Sequence, residues 1–200
     1  LAVGGERNLM SVELLTIGTE LLLGQIVDTN ASWMAQRLAE AGIDVFYKST
    51  VGDNWGRIEA AIRLAMSRAD VVIMTGGLGP TEDDLTREVL AAVLDRPLHL
   101  DAAVLRHIEE RFAHRRVTMA ENNRKQAMVP EGAEVLHNPR GTAPGLLMRS
   151  EGRIFACMPG VPSEMEPMLL EQVIPRIRDS LGIRSRIVSP WWSPRPAAAA

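Results

Sequence analysis

An acidic run directly after a glycine-rich loop is the part of this sequence best suited to chemistry. The stretch "MTGGLGPTEDDLT", residues 74–86, contains three glycines and then three acids: Gly76, Gly77, Gly79, Glu82, Asp83 and Asp84. Glycines allow positive φ angles and close backbone approach, so such a loop can turn N–H groups toward an anion. A helix that begins after the loop adds free N–H groups and a partial positive charge. The pattern predicts a phosphate cradle, although three negative charges border it.

A divalent cation would reconcile these acids with a phosphate, because Mg²⁺ is held by one or two carboxylates together with phosphate oxygens. We predict that Thr81 is the N-cap of a helix over about 82–94 and that Asp84 completes a capping box. Asp83 is then the predicted catalytic carboxylate and metal ligand, and Glu82 is in solvent. The alternative is a strand-to-helix turn whose acids only favour the helix dipole, since neither G-x-G-x-x-G nor a Walker lysine is present.

A second carboxylate, Glu20, follows the first predicted strand, "VELLTIG" at 12–18. Three leucines come directly after it, and a carboxylate in apolar surroundings is costly unless it is paired, hydrogen-bonded or bound to a metal. We therefore predict Glu20 as the second catalytic and metal-binding residue. A structural glutamate that is satisfied by hydrogen bonds is the alternative.

Alternating strand and helix patterns predict the scaffold that positions these acids. Such alternation is typical of βαβ units, which form a parallel sheet with helices on both faces. The predicted strands are 12–18, 43–52, 70–75 and three late segments, "AEVLHN", "GLLMRS" and "RIFACMP"; the predicted helices are 30–42, 53–69, 82–94, 101–115, 118–128 and 162–177. Asn30 is the predicted cap of the first helix, and Asp53 or Asn54 of the second.

Three segments directly follow predicted strands: Gly18 to Glu20, Gly76 to Asp84, and Pro159 to Glu164. Ligands of open parallel sheets bind beyond the carboxyl ends of the strands. We therefore expect these segments to meet at one ligand site.

Composition excludes several classes of protein. The chain has 200 residues, 46% of them hydrophobic, which is enough for one domain with a continuous core. A net charge of −3 with mixed signs argues against a nucleic-acid partner. No apolar run approaches the roughly 18 residues of a membrane span, and the N-terminus has no signal core, so no membrane partner is expected. Residues 1–10 are predicted as a leader, 11–189 as the domain, and 190–200 as a tail or linker.

Cysteine and basic side chains give weaker signals. Cys157 is the single cysteine; it fits a cytoplasmic protein and is predicted to be a buried structural thiol. His107 and His114 lie seven residues apart among arginines on one predicted helix, which predicts a solvated face. Arg124 and Lys125 either contact a phosphate or lie on an exposed helix face.

Four segments together resemble the N-terminal domain of the CinA (competence/damage-inducible) family, a branch of the molybdopterin-binding superfamily of MoaB, MogA and MoeA. The segments are "IGTELLLGQIVDTN", "TGGLGPTEDDLT", "NPRGTAPG" and "MPGVPSEM", and the resemblance covers roughly residues 11–189. It implies a three-layer α/β/α sandwich with a mostly parallel sheet. It also implies a homo-oligomer, for which the sequence itself shows no clear interface.

The resemblance implies a ligand pocket across the glycine loop. Together with the motifs above, it gives these ligand-binding residues: Gly18, Thr19, Asp28, Asn30, Gly76, Gly77, Gly79, Pro80, Thr81, Asp84, Gly141, Thr142, Gly160, Pro162 and Glu164. CinA-type domains are associated with metal-dependent hydrolysis of ADP-ribose, whereas the molybdenum-cofactor branch binds molybdopterin and transfers or removes an adenylyl group. We therefore expect a hydrolase, a nucleotide pyrophosphatase that uses Mg²⁺ or Co²⁺. The alternative is a molybdopterin- or nucleotide-binding domain without turnover.

Overall fold

The computed structural model describes residues 10–181; the predicted tail at 190–200 and all but the last residue of the predicted leader lie outside the described residues. The strands are β1 (Val12–Ile17), β2 (Val45–Val51), β3 (Val71–Thr75), β4 (Leu98–Leu100), β5 (Met128–Pro130), β6 (Glu134–Leu136), β7 (Gly145–Ser150) and β8 (Arg153–Met158). The α-helices are α1 (Thr19–Leu22), α2 (Thr29–Glu40), α3 (Trp55–Arg68), α4 (Thr86–Val93), α5 (Ala102–His114), α6 (Pro162–Met168) and α7 (Ile174–Leu181). A 3₁₀ helix, Glu121–Ala127, precedes β5, and a π-helical turn, Leu169–Val173, joins α6 to α7.

Six strands form one sheet in the order β2-β1-β3-β8-β7-β6. The first four are parallel to one another, whereas β7 runs antiparallel to both β8 and β6. The mostly parallel sheet is thereby confirmed. A separate antiparallel pair, β4 and β5, was not predicted because each strand has only three residues.

Helices cover both faces of the sheet, which confirms the three-layer α/β/α sandwich. On one face, Met34 of α2 and Met165 of α6 join a core with Leu14 of β1. On the other face, Ile58 of α3 and Leu90 of α4 join a core with Leu15 of β1 and with other residues. Strands β1 and β3 are buried along their whole length, as central strands of a parallel sheet are.

The structure corrects the predicted cap of α2 and decides between the two predicted caps of α3. Helix α2 begins at Thr29, and Asp28 caps it by accepting a hydrogen bond from the Ala31 N–H at 2.9 Å, so the prediction of Asn30 was wrong. For α3 the cap is Asn54, which accepts from the Arg57 N–H at 3.2 Å.

The predicted start of α4 was also wrong. The helix begins at Thr86 rather than near residue 82, and the residue before it, Leu85, makes no side-chain capping bond. The predicted helix at 118–128 is instead the 3₁₀ helix Glu121–Ala127, which leads directly into β5. Within the described part of the chain, no helix is both long and apolar enough to cross a membrane.

Candidate ligand-binding site

A cleft of about 600 Å³ lies where β1, β3 and β8 end. The three segments after these strands meet there, as the sequence predicted. Eleven predicted site residues line the cleft: Gly18, Glu20, Gly76, Gly77, Gly79, Asp83, Asp84, Thr142, Gly160, Pro162 and Glu164.

The other predicted site residues lie around this cleft. Asp28 and Asn30 line a smaller cavity of about 110 Å³, which shares Glu20 and Gly160 with the cleft. Asp28 is already engaged, since it caps α2 and accepts a hydrogen bond from the Thr16 hydroxyl at 2.9 Å. The Asn30 side chain donates to the Gly160 carbonyl at 2.7 Å. The remaining four line neither cavity: Thr19, Pro80, Thr81 and Gly141.

The glycine loop depends on two positive φ angles, 102° at Gly76 and 65° at Gly77. A Cβ on Gly76 would overlap the Ile17 carbonyl, and one on Gly77 would overlap the Thr86 hydroxyl. Gly79 is different, because its φ is not positive and a Cβ there would instead overlap the Asp84 carboxylate. Of the two properties expected of these glycines, positive φ and close approach, Gly79 therefore shows the second, because it makes room for an acid.

Thr86 binds two backbone carbonyls of the glycine loop. Its buried hydroxyl donates to the Gly76 carbonyl at 2.8 Å, and its N–H donates to the Gly77 carbonyl at 3.1 Å. The first N–H of α4 is therefore used by the loop and is not open to a ligand. The Gly76 N–H is also used, because it donates to the Met158 carbonyl at 3.1 Å.

Three other loop N–H groups, those of Gly77, Leu78 and Gly79, have no acceptor among the described residues. These three residues line the cleft. These three N–H groups are available to donate to an anion. The phosphate-binding loop predicted from the sequence is therefore limited to three donors, which belong to Gly77, Leu78 and Gly79.

Arg87 lies fully buried beneath the loop. Its guanidinium donates to the Leu78 carbonyl at 3.2 Å and to the Lys125 carbonyl at 3.1 Å. Burial lowers the pKa of Arg87, while Glu88, 3.5 Å away, favours its charged form. Arg87 was not predicted as a site residue, because one arginine in an amphipathic helix gives no sign that it is buried.

The acidic run forms a turn that is closed by hydrogen bonds between its own residues, and Lys125 binds two carbonyls of this turn. Asp84 accepts hydrogen bonds from the N–H of Thr81, at 3.0 Å, and from the Thr81 hydroxyl. The Lys125 ammonium donates to the carbonyls of Thr81, at 2.8 Å, and of Asp84, at 2.5 Å. The predicted exposed face was wrong for Lys125, which is partly buried, whereas a contact of Lys125 with a phosphate stays a prediction.

Asp83 remains the acid of this turn that is exposed and lines the cleft, whereas Glu82 is exposed and does not line it. Hydrogen bonding by the Thr81 side chain, and then by the backbone, lowers the pKa of the Asp83 carboxyl. The positive charge of Lys125 lowers it further. Because the single Thr81 hydroxyl proton points at Asp84, the two acids compete for that donor.

Glu20 reaches the cleft from the single turn α1. Its carboxylate lies directly over Gly18, where a Cβ would overlap it. The premise that Glu20 is in apolar surroundings was wrong, because Glu20 is exposed and so are Leu22 and Leu23. Its place at the cleft, not the cost of burial, is what supports a role.

Asp53 also lines the cleft and was not predicted as a site residue. It forms a reciprocal pair with Thr19: the Thr19 N–H donates to Asp53 at 2.7 Å, and the Asp53 N–H donates to the Thr19 hydroxyl at 3.0 Å. Thr19 therefore acts on the cleft through Asp53.

Asn138 organises the segment "NPRGTAPG" on the far wall of the cleft. Its buried amide donates to Glu164 and to the Ala143 carbonyl, both at 2.7 Å, and accepts from the Gly141 N–H at 2.8 Å. Gly141 leaves room for Glu164, since a Cβ there would overlap that carboxylate. The motif was noticed in the sequence, but the role of its first residue was not.

The charge of the cleft is strongly negative. Among the described residues that line it, five are acids and none is lysine or arginine; the acids are Glu20, Asp53, Asp83, Asp84 and Glu164. An unaccompanied phosphate would be repelled by so many like charges. In residues 10–181, no three histidine, cysteine or acidic side chains converge as a metal site. Glu20 and Asp83 offer hard oxygen donors of the kind that bind Mg²⁺ together with phosphate oxygens and water.

An α/β/α sandwich with a mostly parallel sheet and a glycine-loop cleft at its strand ends is typical of a class of ligand-binding domain. The family described as "Probable molybdopterin binding domain" matches residues 13–179, and the chain belongs to this family. Within it, the chain is similar to proteins named as competence-damage inducible. It is 53% identical to one from Caldicellulosiruptor bescii over 166 residues, which are 83% of this chain and 40% of the relative. It is 47% identical to one from Bacillus subtilis over 177 residues, 88% of this chain and 42% of the relative.

Solved structures agree with this assignment. The protein CinA from Thermoplasma acidophilum, described as of unknown function, superposes with a TM-score of 0.77 at 34% identity, covering 82% of this chain and 98% of that one. The resemblance to CinA is thereby confirmed. The molybdopterin biosynthesis enzyme MoaB from Thermus thermophilus superposes with a TM-score of 0.60 at 20% identity over 87% of this chain and 95% of that one, which shows a shared fold. The chain spans about two fifths of the length of the curated relatives named above.

Proposed function

We propose that the cleft binds a pyrophosphate-containing nucleotide together with a divalent cation and hydrolyses it, with ADP-ribose as the substrate to test first. One observation carries this proposal. Gly77, Leu78 and Gly79, whose N–H groups have no acceptor among residues 10–181, line the same cleft as Asp83 and Glu20. A phosphate needs the former, and the cation that accompanies it needs the latter.

Each part of the cleft has a distinct role in this proposal. The N–H groups of Gly77, Leu78 and Gly79 donate to phosphate oxygens, where negative charge increases in the transition state. Asp83 and Glu20 would hold Mg²⁺ or Co²⁺ through their carboxylate oxygens. Such a cation would supply charge neutralisation and a lower pKa for the attacking water.

The reaction is the addition of water across the pyrophosphate. The water oxygen forms a bond to one phosphorus, the bridging P–O bond breaks, and the two protons of water end on solvent or on the phosphate products. From ADP-ribose the products are AMP and ribose 5-phosphate. The cleft, at about 600 Å³, is within the size range of sites that take a ligand of this kind.

A second candidate is binding of molybdopterin or a nucleotide without turnover. The family description favours it, because it names molybdopterin binding and no hydrolysis. This candidate uses the same loop N–H groups and needs none of the acids as catalysts.

Release of AMP from ADP-ribose, with Mg²⁺ or with EDTA, tests the proposal. We expect Mg²⁺-dependent AMP from the wild type and a loss of roughly tenfold or more in Asp83→Asn, since even an outer-shell metal partner is worth about 10–100-fold. The matched control is Glu82→Gln, an exposed neighbour that does not line the cleft and should behave as wild type. Absence of AMP from the wild type, with tight ADP-ribose binding by calorimetry, would select the second candidate.

A further inference from the structure

We propose that Arg87 is a positioning residue for the bound phosphate: its guanidinium fixes the peptide between Leu78 and Gly79 so that the Gly79 N–H can donate to the anion. This proposal rests on the function proposed above, because it concerns the phosphate of the same ligand. Arg87 does not line the cleft, so it acts through the loop and not by contact with the ligand.

Three successive peptides of the glycine loop have their carbonyls bound by residues of α4. Thr86 binds the carbonyls of Gly76 and Gly77, and Nη2 of Arg87 binds the carbonyl of Leu78 at 3.2 Å. These peptides are trans, and in a planar trans peptide the C=O and N–H bonds point in opposite directions. Each of the three N–H groups therefore points away from the α4 group that binds the carbonyl of its own peptide.

The third of these peptides depends on Arg87 alone. Within residues 10–181, the Leu78 carbonyl accepts no other hydrogen bond, and the Gly79 N–H has no acceptor. Glycine at position 79 also places little restriction of its own on the rotation of this peptide. Without Arg87, the Gly79 N–H would have no fixed direction.

The guanidinium is itself held at two points. Nη1 donates to the Lys125 carbonyl of the 3₁₀ helix at 3.1 Å, while Nη2 donates to the loop. The planar fork of arginine suits such a pair of acceptors, whereas a lysine ammonium is a single point charge on a flexible stem. The orientation of the loop peptide therefore depends on the shape of the Arg87 side chain as well as on its charge.

Burial makes Arg87 a poor means of stabilising the core. Its side chain is fully buried, and its Nε has no partner among the described residues. Glu88, at 3.5 Å, is its paired carboxylate. A buried ion pair often fails to recover the cost of removing its charges from water, and an apolar replacement can be as stable. A role in positioning the loop accounts for this arrangement better than a role in stability.

The positive charge of Arg87 also favours an anion on the loop. Among the described residues that line the cleft, five are acids and none is lysine or arginine. One peptide and two hydrogen bonds separate the guanidinium from an anion on the Gly79 N–H, a distance of less than about 10 Å. Buried charges are screened less than exposed ones, so Arg87 offsets part of the repulsion by the acids.

The test compares two variants of Arg87. Arg87→Met keeps a long apolar stem and loses the charge and both donors, whereas Arg87→Lys keeps the charge without the fork. Arg96→Met is the matched control, because Arg96 is exposed just after α4 and its replacement removes the same net charge. Binding of AMP with Mg²⁺ is measured by calorimetry, and the backbone amides of the loop are followed by NMR during the titration. Release of AMP from ADP-ribose is measured separately.

We expect AMP to bind about tenfold or more weakly to Arg87→Met than to the wild type, because a hydrogen bond to a charged group is worth at least this much. Arg87→Lys should have intermediate affinity, and Arg96→Met should match wild type. The Gly79 amide should respond to AMP in the wild type and not in Arg87→Met. The Gly77 amide should respond in both proteins, because Thr86 holds its peptide. A purely structural role of Arg87 would change both amides or neither.

Wild-type affinity for AMP in a folded Arg87→Met, with the Gly79 amide still responding, would overturn the proposal. If Arg87→Met does not fold, Arg87→Lys decides by the same two measurements, and wild-type values in both would refute the need for the fork. Hydrolysis is decided independently: the expected binding effects without AMP release from ADP-ribose would refute the proposed function and leave the role of Arg87 standing. A wild type that binds neither AMP nor ADP-ribose would refute both.

Discussion

Glycines serve two different purposes at this cleft. Gly76 and Gly77 adopt backbone conformations that L-residues rarely adopt, and they bring the loop against Ile17 and Thr86. Three others make room for a carboxylate that packs where their side chain would be. These pairs are Gly18 with Glu20, Gly79 with Asp84, and Gly141 with Glu164. The positions of the acids thus depend on glycines that are distant in the sequence as well as on near ones.

Replacement of Gly77 by alanine should cost more than backbone strain alone. Gly132 is a matched reference, because its φ of 77° resembles the 65° of Gly77 and a Cβ there meets open space. Gly132→Ala should cost roughly 1–2 kcal/mol, the usual cost of a left-handed residue. Gly77→Ala adds the overlap with Thr86, so we expect a larger loss in urea unfolding and weaker AMP binding in calorimetry. Equal costs, with AMP binding retained in both variants, would contradict this view of the loop.

Two elements hold the loop between β3 and α4 from opposite sides. Helix α4 supplies Thr86 and Arg87, which bind the carbonyls of the glycines and of Leu78. The 3₁₀ helix supplies Lys125, which binds the carbonyls of the acidic turn. With these carbonyls engaged, the loop is held where Gly77, Leu78 and Gly79 line the cleft.

Removal of the Lys125 charge should loosen the acidic turn. Lys125→Met keeps a similar apolar stem but loses both hydrogen bonds to the turn, and bonds from a charged donor are worth about 1.5–3 kcal/mol before solvent screening. We expect faster hydrogen exchange of the amides at 81–85 and weaker nucleotide binding with Mg²⁺. Arg124→Met is the control, since Arg124 is a partly exposed neighbour that faces Glu121 at 3.4 Å. Unchanged exchange at 81–85 in Lys125→Met would show that the turn is stable without the Lys125 hydrogen bonds.

Sequence patterns located the long elements well and failed at the acidic turn. Helices α2, α3 and α5 begin and end within two residues of their predicted bounds, because their apolar periodicity is set by burial on one face. At the turn, the Thr81–Asp84 pair forms the hydrogen bonds of a capping pattern, yet the helix starts at Thr86. The start of the helix is set by the bonds of Thr86 to the glycine carbonyls and by the bonds of Lys125 to the acidic turn. Such tertiary contacts cannot be recognised in a local sequence pattern.

The site itself was only partly predictable. The meeting of three loops followed from the parallel sheet, since the ends of parallel strands share one edge. Arg87 and Asn138 could not be predicted, because their roles depend on burial and on partners elsewhere in the chain. Asp53 was considered only as a helix cap, although Thr19 directs it to the cleft.

At the scale of the whole molecule, an ion pair joins the sheet edge to the last helix and should make stability depend on acidity. Glu134 of β6 accepts a hydrogen bond from Arg176 of α7 at 2.7 Å, which lowers the pKa of Glu134 below its usual value. A lowered carboxyl pKa stabilises the fold fully above the unfolded-state value, and this contribution is lost as pH falls through the folded-state value. The difference in unfolding free energy between wild type and Glu134→Gln should therefore be present at pH 7 and shrink well below pH 4.5.

Urea unfolding at several pH values measures this difference. Glu131→Gln is a suitable control, because Glu131 is exposed on the turn before β6. A wild-type advantage over Glu134→Gln that stays constant from pH 7 to pH 3 would show that the pair contributes through packing and not through charge.

Ligand binding at the cleft should stabilise the whole domain, and Mg²⁺ should decide by how much. AMP is the appropriate probe because it has no pyrophosphate to lose during a thermal scan. A ligand at 100 times its Kd adds about 2.7 kcal/mol to the unfolding free energy. For a domain of this size, each kcal/mol raises Tm by roughly 2–4 °C, so we expect a rise of roughly 5–10 °C at that concentration.

Without Mg²⁺, the five acids of the cleft oppose the phosphate, and the same AMP concentration should give a much smaller rise. Asp83→Asn should retain the small Mg²⁺-independent rise and lose most of the rest, whereas Glu82→Gln should match wild type. Equal rises with Mg²⁺ and with EDTA would contradict a cation shared between the acids and the phosphate.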